Sequence, residues 1–197
     1  MPFILASGSP RRHELLKHLI PTFSIEVSDI EEHLNPELKH LSSQVEDLAR
    51  QKAIVIAQRY LGQPDTWVLG ADTMVCLGES ALGKPRDPQD AVAMLQSLSG
   101  ATHQVITGLA LIQCTDPLRV YMHHGSSDVT MRPLSTNEIQ AYVDSGEPMD
   151  KAGAYGIQSQ AGQFITEITG EYENIVGLPL AALKQLFDTA QMPQLAS

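Results

Sequence analysis

Asp72 lies inside TWVLGADTMVC, residues 66–76, a run that is apolar on both sides of this one acid. An ionised carboxylate in such a place must be paired, bind a metal or shift its proton affinity. All three outcomes are common at active sites. The plain alternative is a structural carboxylate bonded to backbone N–H groups. Strand alternation sends Thr73 to the opposite face. Lys52 raises a similar question, because it falls on the stripe Val45, Leu48, Ala49, Lys52, Ala53 and Ile56. Such a lysine ordinarily lays its stem on apolar surface and reaches water with its head. In the company of other cations it would instead suit a phosphate.

Those cations come in three segments. ASGSPRR, residues 6–12, joins a strand to a helix start. Free N–H groups and the positive end of the helix dipole attract anions there. Ser7, Ser9, Arg11 and Arg12 add hydroxyls and guanidinium groups that can grip phosphate. A surface turn with two solvated arginines is the competing reading. GKPRD, residues 83–87, presents Lys84 just before a helix, and EPMDKAGAYGIQ, residues 147–158, places Lys151 and Gln158 in a loop. Gly and Pro mark turns in any case, but the composition suits a binding loop on a rigid scaffold. The acids Asp29, Glu31 and Glu32 could join Asp72 in a magnesium site, because hard cations take carboxylate oxygens; a solvated acidic turn fits the spacing as well. The GKS/T of a P-loop, HExxH, zinc-ligand spacing and G-x-S-x-G are all missing. The seven histidines read as structural or surface residues.

The elements that must position these residues alternate between apolar runs and helix-period segments, which predicts an α/β domain. Strands are expected at 2–6, 23–27, 66–76, 103–113, 118–131 and 163–168. Ser9 with Pro10 starts the first helix. Ser43 and Glu46 form a capping box for the second. Asp87–Pro88 opens a third helix that stops at Gly100, and Ser135 with Glu138 caps a fourth, running to about Ser145. A long loop spans 146–161. The last helix runs from Pro179 to about Phe187, and a polar tail at 191–197 is expected to fray.

The chain has 197 residues, 43% hydrophobic and 18% charged, with 13 Lys+Arg against 23 Asp+Glu and a net charge of −10. That predicts one folded domain of two lobes with a sizeable core. The acidic excess argues against binding a nucleic-acid polymer. No run approaches the roughly 20 apolar residues of a membrane helix, and the N-terminus lacks the order of a signal peptide. Cys76 and Cys114, each in an apolar stretch, read as buried free thiols. A cytoplasmic protein is the expectation.

Eight segments in order resemble the Maf family of nucleotide pyrophosphatases. They are ILASGSPRR at 4–12, IEE at 30–32, LARQKA at 48–53, GADT at 70–73, LGKPRD at 82–87, HQVITG at 103–108, EPMDKAGAYGIQ at 147–158 and NIVGLPL at 174–180. Ser159 stands where the family's GIQG has Gly, which spares Gln158. The resemblance implies one catalytic domain over 1–190. Its fold would be a mixed, elongated sheet flanked by helices, with a groove between two lobes, and often a homodimer. It implies hydrolysis of a nucleoside triphosphate between the α and β phosphates, with a divalent metal, Mg²⁺ or Mn²⁺. It places proton acceptance on Asp72 and substrate choice on Arg11, Thr73 and Gln158. The AYGIQ loop is similar to that of the branch acting on dTTP and UTP. Alternatives are a modified nucleotide such as 7-methyl-GTP, or a non-catalytic role in septum formation.

The residues agree in kind. Ser7, Arg11, Arg12, Lys52, Lys84 and Lys151 would hold the triphosphate, and Glu32 with Asp72 the metal. Gln158 offers both a donor and an acceptor to the imide edge of uracil or thymine. The acidic excess would then limit the size of the anionic partner, not its sign.

Overall fold

The computed structural model describes residues 1–193. Seven strands form one mixed sheet, in the order β2-β1-β3-β5-β6-β7 with β4 added to β3. The strands are β1 (Phe3–Leu5), β2 (Ser24–Ile25), β3 (Trp67–Leu77), β4 (Ser80–Leu82), β5 (Thr102–Gln113), β6 (Arg119–Met131) and β7 (Ile165–Thr169). The helices are α1 (Pro10–Lys17), α2 (Leu41–Gln58), α3 (Pro88–Leu98), α4 (Thr136–Asp144), α5 (Tyr172–Val176) and α6 (Leu180–Thr189). β1 runs parallel to β2 and β3, whereas β3–β4 and β6–β7 are antiparallel. This is the expected α/β fold with a mixed sheet. Contacts divide the described residues into two compact units, one of residues 1–72, 107–125 and 177–193, the other of 73–106 and 126–176.

In the first unit β1, residues 67–71 of β3 and residues 107–112 of β5 are buried on both faces, which is why they read as continuous apolar runs, whereas β2 at the edge is exposed. Alternation sorts their side chains. Phe3, Leu5, Trp67, Leu69, Ala71, Leu109 and Leu111 pack with Leu16, Leu183 and Leu186 in one cluster. Ile4, Ala6, Val68, Ala110 and Ile112 pack with Ala49, Ala53 and Ile56 of α2 in another. Each of the larger side chains gains about 1.5–3 kcal/mol from burial. Asp72 shares the parity of Val68 and Gly70 and so belongs to the face that meets α2.

The second unit has its own core of Val75, Leu95, Val105, Val129, Tyr142, Tyr155 and Phe164 among others. Its α4 shows the predicted capping box. Glu138 N–H donates to Ser135 Oγ at 3.3 Å, and Ser135 N–H to Glu138 Oε2 at 2.9 Å. Arg132 Nη2 donates to Glu138 Oε1 at 2.7 Å. The Arg132 bond, with help from Ser135, pulls the Glu138 carboxyl from its ordinary 4.5 down to about 2. A depressed folded-state value stabilises above the ordinary pKa and loses that stabilisation as pH falls through the folded value. Glu138→Gln should therefore flatten the acid limb of a Tm-against-pH curve between about pH 4.5 and 2. Superimposable curves for the two proteins would reject the linkage.

Several expected boundaries move. α2 begins at Leu41 with His40 as N-cap and no side-chain cap bond, so the Ser43–Glu46 box does not form. Glu46 instead meets His124 Nδ1 at 2.7 Å, and Gln44 Nε2 donates to the Leu38 carbonyl at 2.7 Å. For Glu46 a partner distant in sequence takes the place of the local cap. The 146–161 loop carries short 3-10 turns at Glu147–Asp150 and Ala152–Ala154, and another begins at Gln160. β4 and α5 are too short to leave a periodic signal. α6 continues to Thr189, and Met192 is buried against the first core, so the frayed tail does not begin at 191. Residues 194–197 of that tail lie outside the described residues. Both cysteines are buried and free, as expected. Among the described residues, no helix is long and apolar enough to cross a membrane.

Candidate active site

Two glycines bring α2 onto the sheet. A Cβ on Gly70 would stand 2.2 Å from the Ala49 carbonyl oxygen and 2.9 Å from Ala53 Cβ. A Cβ on Gly108 would stand 2.4 Å from the Val45 carbonyl oxygen. Real Cβ atoms do not approach backbone that closely, so the helix reaches this position only over bare Cα atoms. A glycine inside a strand pattern is a sign of such an approach. GADT and HQVITG both carry that signal, which matching the motifs by residue type alone does not reveal.

The close approach sets Lys52 over Asp72. Lys52 Nζ donates to Asp72 Oδ1 at 2.5 Å and lies 3.0 Å from Glu32 Oε2. The Lys52 and Asp72 side chains are only 15% and 16% exposed, against 43% for Glu32. The lysine head therefore does not snorkel into water; it lies between two carboxylates. Asp72 takes the paired outcome among the three expected. Asp29 and Glu31 are exposed, and Glu31 lies 3.9 Å from His33.

Arg12 is held beside this group. Its Nε donates to the Gly177 carbonyl at 2.8 Å and its Nη1 to Ser7 Oγ at 3.3 Å. Ser7 is buried, and its hydroxyl also accepts the Ser9 N–H at 3.2 Å. His13 Nε2–H donates to the Ser7 carbonyl at 2.7 Å. Ser9 caps α1, with Pro10 in the first turn as predicted. Burial lowers the proton affinity of Arg12; the charge of Asp72 opposes this, Arg11 adds to the lowering and Glu32 opposes it. A guanidinium stays protonated regardless. Arg11 is exposed. The Gly177 carbonyl gives NIVGLPL a part that its composition does not announce.

Thr73, Lys84, Lys151 and Gln158 belong to the second unit. Gly153 N–H donates to the Gly83 carbonyl at 3.0 Å, which ties the turn before Lys84 to the loop bearing Lys151. Lys84 and Gln158 are exposed. Lys151 is 12% exposed; its Nζ donates to Asp150 Oδ1 at 2.7 Å and to the Glu147 carbonyl at 2.6 Å. The lysine stem packs on Gly156, where a Cβ would stand 2.8 Å from Lys151 Cε and displace that side chain. Gly153 and Ala154 both adopt left-handed backbone, with φ of 68° and 61°. For alanine that conformation costs of order 1–3 kcal/mol, which surrounding contacts must sustain.

No group of three or more His, Cys, Asp or Glu side chains that could hold a metal occurs among the described residues. Magnesium does not demand one. It takes one or two carboxylates and completes its shell with water and substrate phosphates. Glu32 and Asp72 already share one positive charge, the Lys52 ammonium, so as a donor set they fit a hard divalent cation.

The mixed sheet flanked by helices defines an α/β protein of a known architecture. The Ham1 protein of Staphylococcus aureus superposes with a TM-score of 0.53 at 14% identity, covering 96% of this chain and 100% of that one. The sequence goes further, because the profile of the Maf-like protein family matches residues 2–190. The chain belongs to that family. Among its relatives are proteins named dTTP/UTP pyrophosphatase. The one from Desulforamulus reducens is 46% identical over 92% of this chain and 93% of its own length. Those from Hahella chejuensis and Myxococcus xanthus are 49% and 45% identical, covering 90% and 96% of this chain and 86% and 93% of their own.

Proposed function

We propose that this protein is a nucleoside triphosphate pyrophosphatase that hydrolyses dTTP and UTP to the monophosphate and pyrophosphate. The observation that carries the reading is the Lys52–Asp72–Glu32 group, set beside Arg12 on a bare-glycine face of the sheet. The names of the relatives supply the substrate class.

Attack on a phosphoanhydride needs an oriented water, a proton acceptor and positive charge around the phosphoryl oxygens. Asp72 orients the water and takes its proton. The water oxygen bonds to a phosphorus of the α–β bridge as the bond from that phosphorus to the bridging oxygen breaks, so that the two halves part as the nucleoside monophosphate and pyrophosphate. Lys52 lies within reach of the same region and can turn from its carboxylates to phosphate oxygens. Arg12 is fixed by Ser7 and Gly177, so its charge is placed before the substrate arrives. Arg11, Lys84 and Lys151 are the remaining triphosphate ligands in this reading. Glu32 and Asp72 would hold Mg²⁺ or Mn²⁺, which when bound polarises phosphoryl oxygens.

Gln158, with Arg11 and Thr73, selects the base. The amide of Gln158 offers a donor and an acceptor to the imide edge of thymine or uracil, and cytosine presents a different order. Gln158→Ala should reduce the preference for UTP over CTP by about 10–100-fold in kcat/KM, because an unmatched polar contact is what rejects the wrong base. A variant with wild-type preference would remove Gln158 from base choice. The reading as a whole is tested by a pyrophosphate-release panel over canonical and methylated nucleoside triphosphates with Mg²⁺ or Mn²⁺. Preferred turnover of 7-methyl-GTP would move the protein to another substrate, and intact nucleotides throughout would end the enzymatic reading.

A further inference from the structure

Tyr155 stands three residues before Gln158 and is only 6% exposed, inside the second core. Its hydroxyl lies 2.7 Å from Nε2 of His103 on β5. The rings meet edge to face, 5.3 Å apart at 84°. His103 is 2% exposed, and its Nδ1 is buried with no hydrogen-bond partner among the described residues. Burial pushes the imidazole down to about 4 and the phenol upward, so both groups are neutral near pH 7.

A phenylalanine would fill the Tyr155 site without burying a hydroxyl. A leucine at 103 would spare the orphaned nitrogen. Replacing both partners of a buried polar pair by apolar groups is often nearly neutral for stability, and the unsatisfied Nδ1 is a net cost. The pair is therefore poorly explained as a source of stability. What it does provide is direction, since a hydrogen bond fixes one register where apolar packing tolerates several. The chain around it needs that. Gly153 and Ala154 are left-handed, with Val75 packed so closely that a Cβ on Gly153 would stand 2.8 Å from its Cγ1. Beyond Gln158, Ser159 Oγ returns to the Gly156 carbonyl at 2.6 Å. Gln158 is thus the exposed residue of a short arch whose upstream foot is the Tyr155 hydroxyl.

We infer that His103 and Tyr155 are positioning residues for substrate choice, holding the 153–158 arch in the one register that presents the Gln158 amide to the base. The inference rests on the proposed dTTP/UTP pyrophosphatase reading. Two readouts on the full-length protein test it, UTP-over-CTP selectivity in kcat/KM and amide hydrogen exchange across 153–158. The variants are Tyr155→Phe and the double variant His103→Leu/Tyr155→Phe, which leaves no unpaired partner behind. In both, selectivity should fall about fivefold or more and exchange across the arch should quicken about tenfold. A folded variant in which either quantity keeps its wild-type value overturns the inference and leaves the pair as packing. If the wild-type protein hydrolyses no nucleotide or shows no UTP preference, the functional reading fails, and with it the inference about substrate choice. Exchange in the variants then still decides whether the pair anchors the arch.

Discussion

Asp72→Asn is expected to lower pyrophosphate release about 10³-fold while the protein stays folded. A positioned general base contributes roughly 10²–10⁴ in rate, and asparagine keeps the shape but cannot take a proton. The change also unpairs Lys52 from one of its two carboxylates. Breaking a fully buried pair costs about 3–5 kcal/mol, but Glu32 remains 3.0 Å from the ammonium and all three groups keep some solvent contact. About 1–2 kcal/mol is the reasonable expectation, hence a Tm lower by about 2–8 °C. Steady-state release measured beside circular dichroism separates the two effects. A folded variant with activity within tenfold of wild type would take the base role away from Asp72.

Gly70→Ala carries the second large effect, and it acts without altering any polar side chain of the site. Its new methyl would stand 2.2 Å from the Ala49 carbonyl oxygen, a backbone atom that cannot turn aside. α2 must then lift from the sheet, and Ala53 and Ile56 lose part of their contact with Val68 and Ala110. Overpacking of this kind costs about 3 kcal/mol, which lowers the Tm of a chain this size by about 6–12 °C. The lift also draws Lys52 away from Asp72. Activity measured well below the lowered Tm should therefore fall about tenfold or more, since misplacement of about 1 Å can cost 10²-fold. A Tm within about 2 °C of wild type would mean that the helix does not bear on Gly70 in solution.

The two variants probe one site from different sides, and they differ in how far the sequence announced them. Asp72 was conspicuous because an acid in an apolar strand needs an explanation. Lys52 was conspicuous for the same reason on a helix. Ser9 with Pro10, Asp87 with Pro88, and Ser135 with Glu138 marked helix starts through bonds spanning three or four residues. The Ser43–Glu46 box has the same pattern and does not form, because Glu46 has a partner in His124, 78 residues away. A local rule cannot weigh a distant competitor.

The same division runs through the whole molecule. Residue type and spacing by themselves determined the α/β class, most of the strands and helices, the family and the list of chemically notable side chains. Those properties depend on period, capping and short-range order, which are written along the chain. Tertiary structure decided what the side chains do to one another. It put Lys52 between Asp72 and Glu32, fixed Arg12 on the Gly177 carbonyl 165 residues away, and joined His103 to Tyr155 across 52 residues. Each contact depends on how closely a helix or loop approaches the sheet. That distance is set by packing around bare glycines and buried side chains, and no spacing in the sequence encodes it.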